Sequence, residues 1–241
     1  MTPTLRLLPF QSLPGAANMA ADEAMLVAAS EQGLASLRFY TWSEPTLSLG
    51  YFQPAAERLP GLPWVRRSSG GAALVHHHEL TYALALPVGK LWQRHGESWI
   101  CRMHHLITAT LALAGAETKS VVCGDEKKLG EVLCFLHQTP GDLLAQSSKV
   151  VGSAQRKQKG AMLQHGGILL ARSEFAPQLP GLLELTGVKF ELPDLVNRLM
   201  RQFTLATGWE LQSATWTDAE RQLRDQIEHD KYANPTWNEK R

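Results

Sequence analysis

The 241-residue chain has few cysteines and almost no excess of charge: three thiols, and 24 basic against 23 acidic side chains for a formal net charge of +1. Cys101, Cys123 and Cys134 are odd in number and fall in no metal-ligand spacing, which argues against a disulfide framework and a structural zinc site. At least one thiol is therefore free. A charge so near zero supplies no field for DNA or RNA, so no nucleic-acid partner is expected. No apolar run is long enough to cross a bilayer, and no membrane partner is expected either. Met1–Phe10 lacks the basic, long apolar and small-residue segments of a secretory leader, which predicts a cytoplasmic protein. The adjacent histidines His76, His77 and His78 do not make a metal site, because neighbours on a strand point to opposite faces.

What is present is an ordinary globular composition, 44% hydrophobic and 20% charged, enough for a substantial core. The run from Asn18 to Gln32 is Ala-rich, with Asn18 as a cap, Asp22 and Glu23 in the first turn and Gly33 as a stop, and predicts a helix. Short β-type runs bounded by turn residues follow at 37–42, 46–51, 64–67, 73–76 and 80–86. A helix is predicted at 97–114, closed by Gly115, then strands at 132–136, 143–146, 149–153 and 162–170, then amphipathic helices at 195–207 and 217–229. The expected class is α+β, a mixed and largely antiparallel sheet covered by helices, in one domain over 1–241. The helices beyond about 190 are expected to pack on that domain.

Two runs carry chemistry. Lys149-Val-Val-Gly-Ser-Ala-Gln-Arg156, followed by Gln164-His-Gly-Gly167, lies fifteen residues after Cys134. A lysine leading into a Gly-Ser-Ala turn, with a cysteine able to fold back beside it, suits an acyl-handling site, since an ammonium favours a thiolate and polarises a carbonyl. Taken alone, the same residues also suit a solvated strand end and a small core thiol. The second run is Arg66-Arg67-Ser68-Ser69-Gly70-Gly71-Ala72-Ala73, leading to His76 and Glu79-Leu80-Thr81-Tyr82. Its glycines and alanines let a ligand approach the backbone, and its arginines suit an anionic group such as a phosphate. A tight hairpin with surface arginines is the plainer alternative. His95, His104, His105 and His229 read as solvated or dipole-satisfying histidines.

Together, and in this order, the two runs resemble the family of lipoate-protein ligases, octanoyltransferases and biotin ligases. The similarity extends from Asn18-Met-Ala-Ala-Asp-Glu23 through Glu44-Pro-Thr-Leu-Ser-Leu-Gly50 to His165-Gly166. The resemblance implies a ligase-like catalytic domain that places octanoyl or lipoyl groups on a lysine of a lipoyl-domain protein. Cys134-Phe135 and the segment from Tyr232 to Arg241 look like the cysteine-dependent octanoyltransferase branch. By that resemblance Cys134 is the nucleophile and Lys149 its partner, while Arg66, Arg67, Ser69, Gly70, Gly71, Ala72, Ala73, His76, Tyr82, Gly152, Ser153, Ala154, His165 and Gly166 bind substrate. The donor it implies is octanoyl-acyl carrier protein, and the acceptor a glycine cleavage H protein or a 2-oxoacid dehydrogenase E2. No cofactor is expected; ATP and magnesium belong to the alternative of an ATP-dependent ligase. An amidotransferase between lipoyl-domain proteins, or a non-catalytic acyl-binding relative, would show the same motifs. Ala72 stands where the branch commonly has Arg, and the segment after Cys134 offers only Asp142 near an expected acidic position. Ala72, Ala73, Leu74 and the Gly-rich turn are the expected walls of the acyl slot.

Overall fold

The computed structural model describes residues 3–89, 91–93, 96–130 and 132–241; His95 lies outside them. The strands are β1 Thr4–Leu7, β2 Gln11–Leu13, β3 Ser36–Trp42, β4 Thr46–Leu49, β5 Trp64–Arg66, β6 Leu74–His76, β7 Glu79–Leu86, β8 Lys119–Ser120, β9 Lys127–Lys128, β10 His137–Gln138, β11 Leu143–Ala145, β12 Ser148–Gln158, β13 Ala161–Leu169 and β14 Glu210–Ser213. The helices are α1 Gly15–Gln32, α2 Trp99–Ala112, α3 Leu182–Thr186, α4 Leu192–Thr207, α5 Asp218–Ile227 and α6 Pro235–Asn238. The main sheet runs β14-β1-β3-β7-β13-β12-β11-β8, with β2 also on β3. Its pairings are antiparallel from β3 to β8, and parallel among β14, β1, β2 and β3. A small sheet, β5-β4-β6, lies apart from it. The mixed, helix-covered sheet is the architecture read from the sequence.

Period-two alternation divides β7 between two cores. Leu80, Tyr82, Leu84 and Leu86 join the layer under α2 and α4, while Ala83 and Ala85 face α1. The α1 layer is built small on small: Ala20, Ala21 and Ala24 of the helix meet Ala83, Ala85 and Ala161 of the sheet. On the other face Leu195, Leu199 and Phe203 of α4 enter the core beside Met103, Ile107 and Leu111 of α2. Among the described residues no helix is long and apolar enough to cross a membrane.

Several boundaries differ from expectation. Helix α1 begins at Gly15, so Asn18 is inside it and caps nothing. Asn18 is fully buried, and its amide donates to the Leu13 and Thr41 carbonyls at 2.9 and 3.0 Å. The strand expected at 132–136 is instead a bridge between Ala73 and Leu133 followed by a 3-10 turn, Cys134–Leu136. Two backbone bonds make that junction: Ala73 N–H to Val132 O at 2.9 Å and Cys134 N–H to Ala73 O at 2.6 Å. Helix α5 ends at Ile227 and passes into a π turn, Glu228–Tyr232.

Candidate active site

Strand β12 starts beside the turn that carries Cys134, and its second residue, Lys149, is buried at 4% exposure. Lys149 Nζ donates to Asp142 Oδ2 at 2.7 Å and to His137 O at 3.1 Å, and lies 3.5 Å from Cys134 Sγ. Asp142 Oδ2 also accepts from Thr139 N and Oγ1, at 2.8 and 2.9 Å. The ammonium is thus held on a fixed carboxylate and aimed at a half-exposed thiol. Gly152 lets the lysine take this position, because a Cβ there would stand 2.6 Å from Lys149 Cε and 3.0 Å from its Nζ and push the ammonium aside.

Cys134 opens on a cavity lined also by Met19, Tyr40, Trp42, Arg67, Leu74 and His76, and by residues 152–154 and 165–167. Its walls are mostly apolar, as an acyl tail needs. Trp42 stacks on His76 with ring centres 3.7 Å apart. His76 Nδ1 meets Glu79 Oε1 at 2.6 Å and its Nε2 meets Ser48 Oγ at 2.7 Å. Arg67 is buried and donates to Ser48 O and Oγ, and to the Gly70 and Ala72 carbonyls. Burial pushes its guanidinium down to about 10, a shift opposed by the neighbouring Cys134. It remains a cation at neutral pH.

Two further histidines are oriented by hydrogen bonds. His165 Nδ1 donates to Asp22 Oδ2 at 2.9 Å, and its Nε2 is hydrogen-bonded with Ser69 Oγ at 2.6 Å. Asp22 also takes Tyr40 OH at 3.0 Å and pairs with Arg38 Nε at 3.1 Å. His104, which its sequence position suggests is a solvated helix residue, is fully buried. Burial lowers its pKa from the ordinary 6.5. Its Nδ1–H therefore donates to Gly141 O at 2.5 Å, and its Nε2 accepts from Ser153 Oγ at 2.6 Å. Ser153 in turn accepts from Tyr82 OH at 2.7 Å, and Tyr82 from Gln164 Nε2 at 2.7 Å. Desolvation raises the Tyr82 phenol to about 12, so it stays a donor.

The His104 pairing has a pH consequence. Its lowered folded-state value means the unfolded chain binds the proton first, so the stabilisation is complete above about pH 6.5 and declines as pH falls below it. Urea midpoints at pH 7.5 and 5.5 should therefore fall on acidification, and fall less in His104→Gln. An equal fall in both proteins would remove His104 from the account.

Of the residues read from sequence, Arg67, Gly71, His76, Cys134, Gly152, Ser153, Ala154, His165 and Gly166 line the cavity. Lys149, Ser69 and Tyr82 stand directly behind Cys134, His165 and Ser153. Arg66 does not line it: fully buried, it donates to the carbonyls of Gly50, Gln53 and Asn238. Gly70 and Ala72 face Arg67 with their carbonyls, and Ala73 holds the Cys134 turn through its backbone. Of the expected slot walls, Leu74 and, from the Gly-rich turn, Gly71 line the cavity, whereas Ala72 and Ala73 do not.

The description "lipoyl protein ligase A/B catalytic domain" belongs to a family model that matches residues 14–177. The chain belongs to this family. Among curated relatives, an octanoyltransferase LipM of Brevibacillus brevis is 30% identical over 98% of this chain and 99% of its own. One from Lysinibacillus sphaericus is 32% identical over 93% and 94%. The fold is that of a bi-partite lipoate protein ligase from Thermoplasma acidophilum, with a TM-score of 0.75 at 19% identity, covering 99% of this chain and 97% of that one. Within the family's matched span lie Arg67, Cys134, Lys149 and His165, all at or behind the cavity wall.

Proposed function

We propose that this member of the family is a cysteine-dependent octanoyltransferase. It takes an octanoyl group from the thioester of an acyl carrier protein onto Cys134, and passes it to a lysine of a lipoyl-domain protein such as glycine cleavage H protein or a 2-oxoacid dehydrogenase E2. The observation that carries the reading is the 3.5 Å approach of Lys149 Nζ to Cys134 Sγ at the wall of an apolar cavity. The names of the relatives, octanoyltransferases aligned along nearly their full length, support it.

In the first step the Cys134 thiolate attacks the donor carbonyl; a new C–S bond forms, the donor's C–S bond breaks, and the carrier leaves as a thiol after taking up a proton. Lys149 stabilises the attacking thiolate and the developing oxyanion. One thioester replaces another, so no ATP is consumed. In the second step the acceptor lysine, having lost its ammonium proton, attacks the acyl-enzyme; an amide forms and Cys134 departs as a thiol. The tail is held by Met19, Tyr40, Trp42 and Leu74, and at ~0.8 kcal/mol per buried CH₂ seven carbons contribute roughly 5 kcal/mol.

The test is intact mass after mixing the protein with octanoyl-carrier protein in the absence of ATP. A single octanoyl adduct is expected, absent from Cys134→Ser, and discharged by a lipoyl domain. Modification of the lipoyl domain that requires ATP and leaves Cys134 unmodified would overturn the transferase reading in favour of a ligase.

A further inference from the structure

On the surface beside the cavity, Arg156, Lys240 and Arg241 have no ion pair with an Asp or Glu side chain among the described residues. Arg58 pairs with Glu239 and Lys231 with Glu23, whereas Arg156, Lys240 and Arg241 turn toward one ring. Lys240 Nζ stands 3.7 Å from the Tyr51 ring centre, the Arg241 guanidinium 5.1 Å and that of Arg156 5.9 Å. Phe52, 71% exposed, lies edge-on beside Tyr51. The hydrogen bond from Arg241, and then the charge of Lys240, lower the pKa of the Tyr51 phenol. In a chain of net charge +1 this is a local concentration rather than a general basicity.

Its place ties it to the reaction site. Tyr51 N–H donates to Ser69 O at 2.9 Å, and Arg156 reaches Ser68 O at 3.4 Å. Both hold the turn whose Gly71 lines the cavity, and Arg156 follows the cavity-lining Ala154 by two residues on β12. Like charges gathered around one ring repel one another unless an anion comes between them.

We propose that Arg156, Lys240 and Arg241 form the docking rim for the acyl-donating carrier protein, whose thioester hangs from a phosphodiester-bearing arm on an acidic surface. This rests on the reading of Cys134 as acyl acceptor. The chemistry favours the donor over the acceptor: a donor brings negative charge to the mouth, whereas an acceptor lysine arrives as a cation and is repelled there. Rim charges act chiefly on the encounter rate, and screening by salt weakens them.

The experiment compares two donors with the full chain. Acylation of Cys134 is timed by intact mass with octanoyl-carrier protein and with octanoyl-pantetheine, which has neither phosphate nor protein. In Lys240→Glu/Arg241→Glu the ratio of the two second-order rate constants should fall about tenfold or more, and the salt dependence of the carrier reaction should flatten. Arg156→Glu, which leaves the C-terminal segment intact, should act in the same direction, with folding of each variant checked by circular dichroism. An unchanged ratio overturns the rim, whether both rates hold or both fall together. So does a loss confined to transfer onto the lipoyl domain, which would make it an acceptor surface. No adduct from either donor in the unsubstituted protein overturns the acyl-enzyme reading, and the rim with it.

Discussion

Lys149→Met is expected to slow acylation of Cys134 by about 10²–10³-fold, the usual effect of removing one donor aimed at a developing oxyanion. The side chain retains most of its length, so the loss reports the charge. A second effect accompanies it. Asp142 is 4% exposed, and without Lys149 it keeps only the two Thr139 donors. An uncompensated buried charge of this kind costs about 3–5 kcal/mol of stability. Lys149→Met/Asp142→Leu, which removes both charges, should regain most of that stability while acylation remains slow. Urea midpoints and intact-mass rates separate the two readouts. If the double variant regains acylation as well, Lys149 serves only the fold, and Cys134 needs another electrophile.

Asp22→Ala is expected to be the most damaging change on α1, by about 3–5 kcal/mol, because it leaves a buried cation unpaired. Arg38 is 1% exposed and Asp22 is its carboxylate partner, and Tyr40 OH and His165 Nδ1 meet Asp22 on its other oxygen. Tyr40→Phe removes one hydrogen bond and should cost about 1 kcal/mol. Asp22→Asn should fall between them. Thermal unfolding orders the three; a small loss in Asp22→Ala would mean that Arg38 finds water instead. Because Asp22 also orients the His165 ring on the cavity wall, the variant should lose acyl transfer even at temperatures where it is folded.

These two carboxylates show where the sequence is legible. Cys134, Lys149 and the Gly-Ser-Ala turn can be found because their order along the chain matches a pattern. Asp142 stands out only as the nearest acid to an expected position, since its partnership with Lys149 depends on a bulged pairing of β11 with β12. Asp22 reads as a first-turn acid only if α1 starts at Asn18. Gly15 begins the helix instead, where a Cβ would press to 2.8 Å against Thr46 Cγ2, a contact no periodicity discloses. His104 escapes a sequence reading for a similar reason: the approach of Gly141 and of Ser153 from β12 is what makes it a buried hydrogen-bonding residue. Sheet and helices follow from alternation and capping. The strands β1, β2 and β14 leave little trace in the sequence because they are short and pair parallel with partners distant in the chain.

The hold of Arg66 on a distant part of the chain has a consequence in time. Arg66 N–H donates to Asn238 Oδ1 at 2.8 Å, its Nε to Asn238 O at 2.9 Å, and Trp237 Nε1 to Arg66 O at 2.7 Å. The residue after Arg66 is the buried cation of the cavity wall. During synthesis residues 237 and 238 are added after everything from α1 to β13. The nascent chain can therefore lay down its sheet early, but the turn from Arg66 to Gly71 reaches its final setting only once that later segment is out and docked.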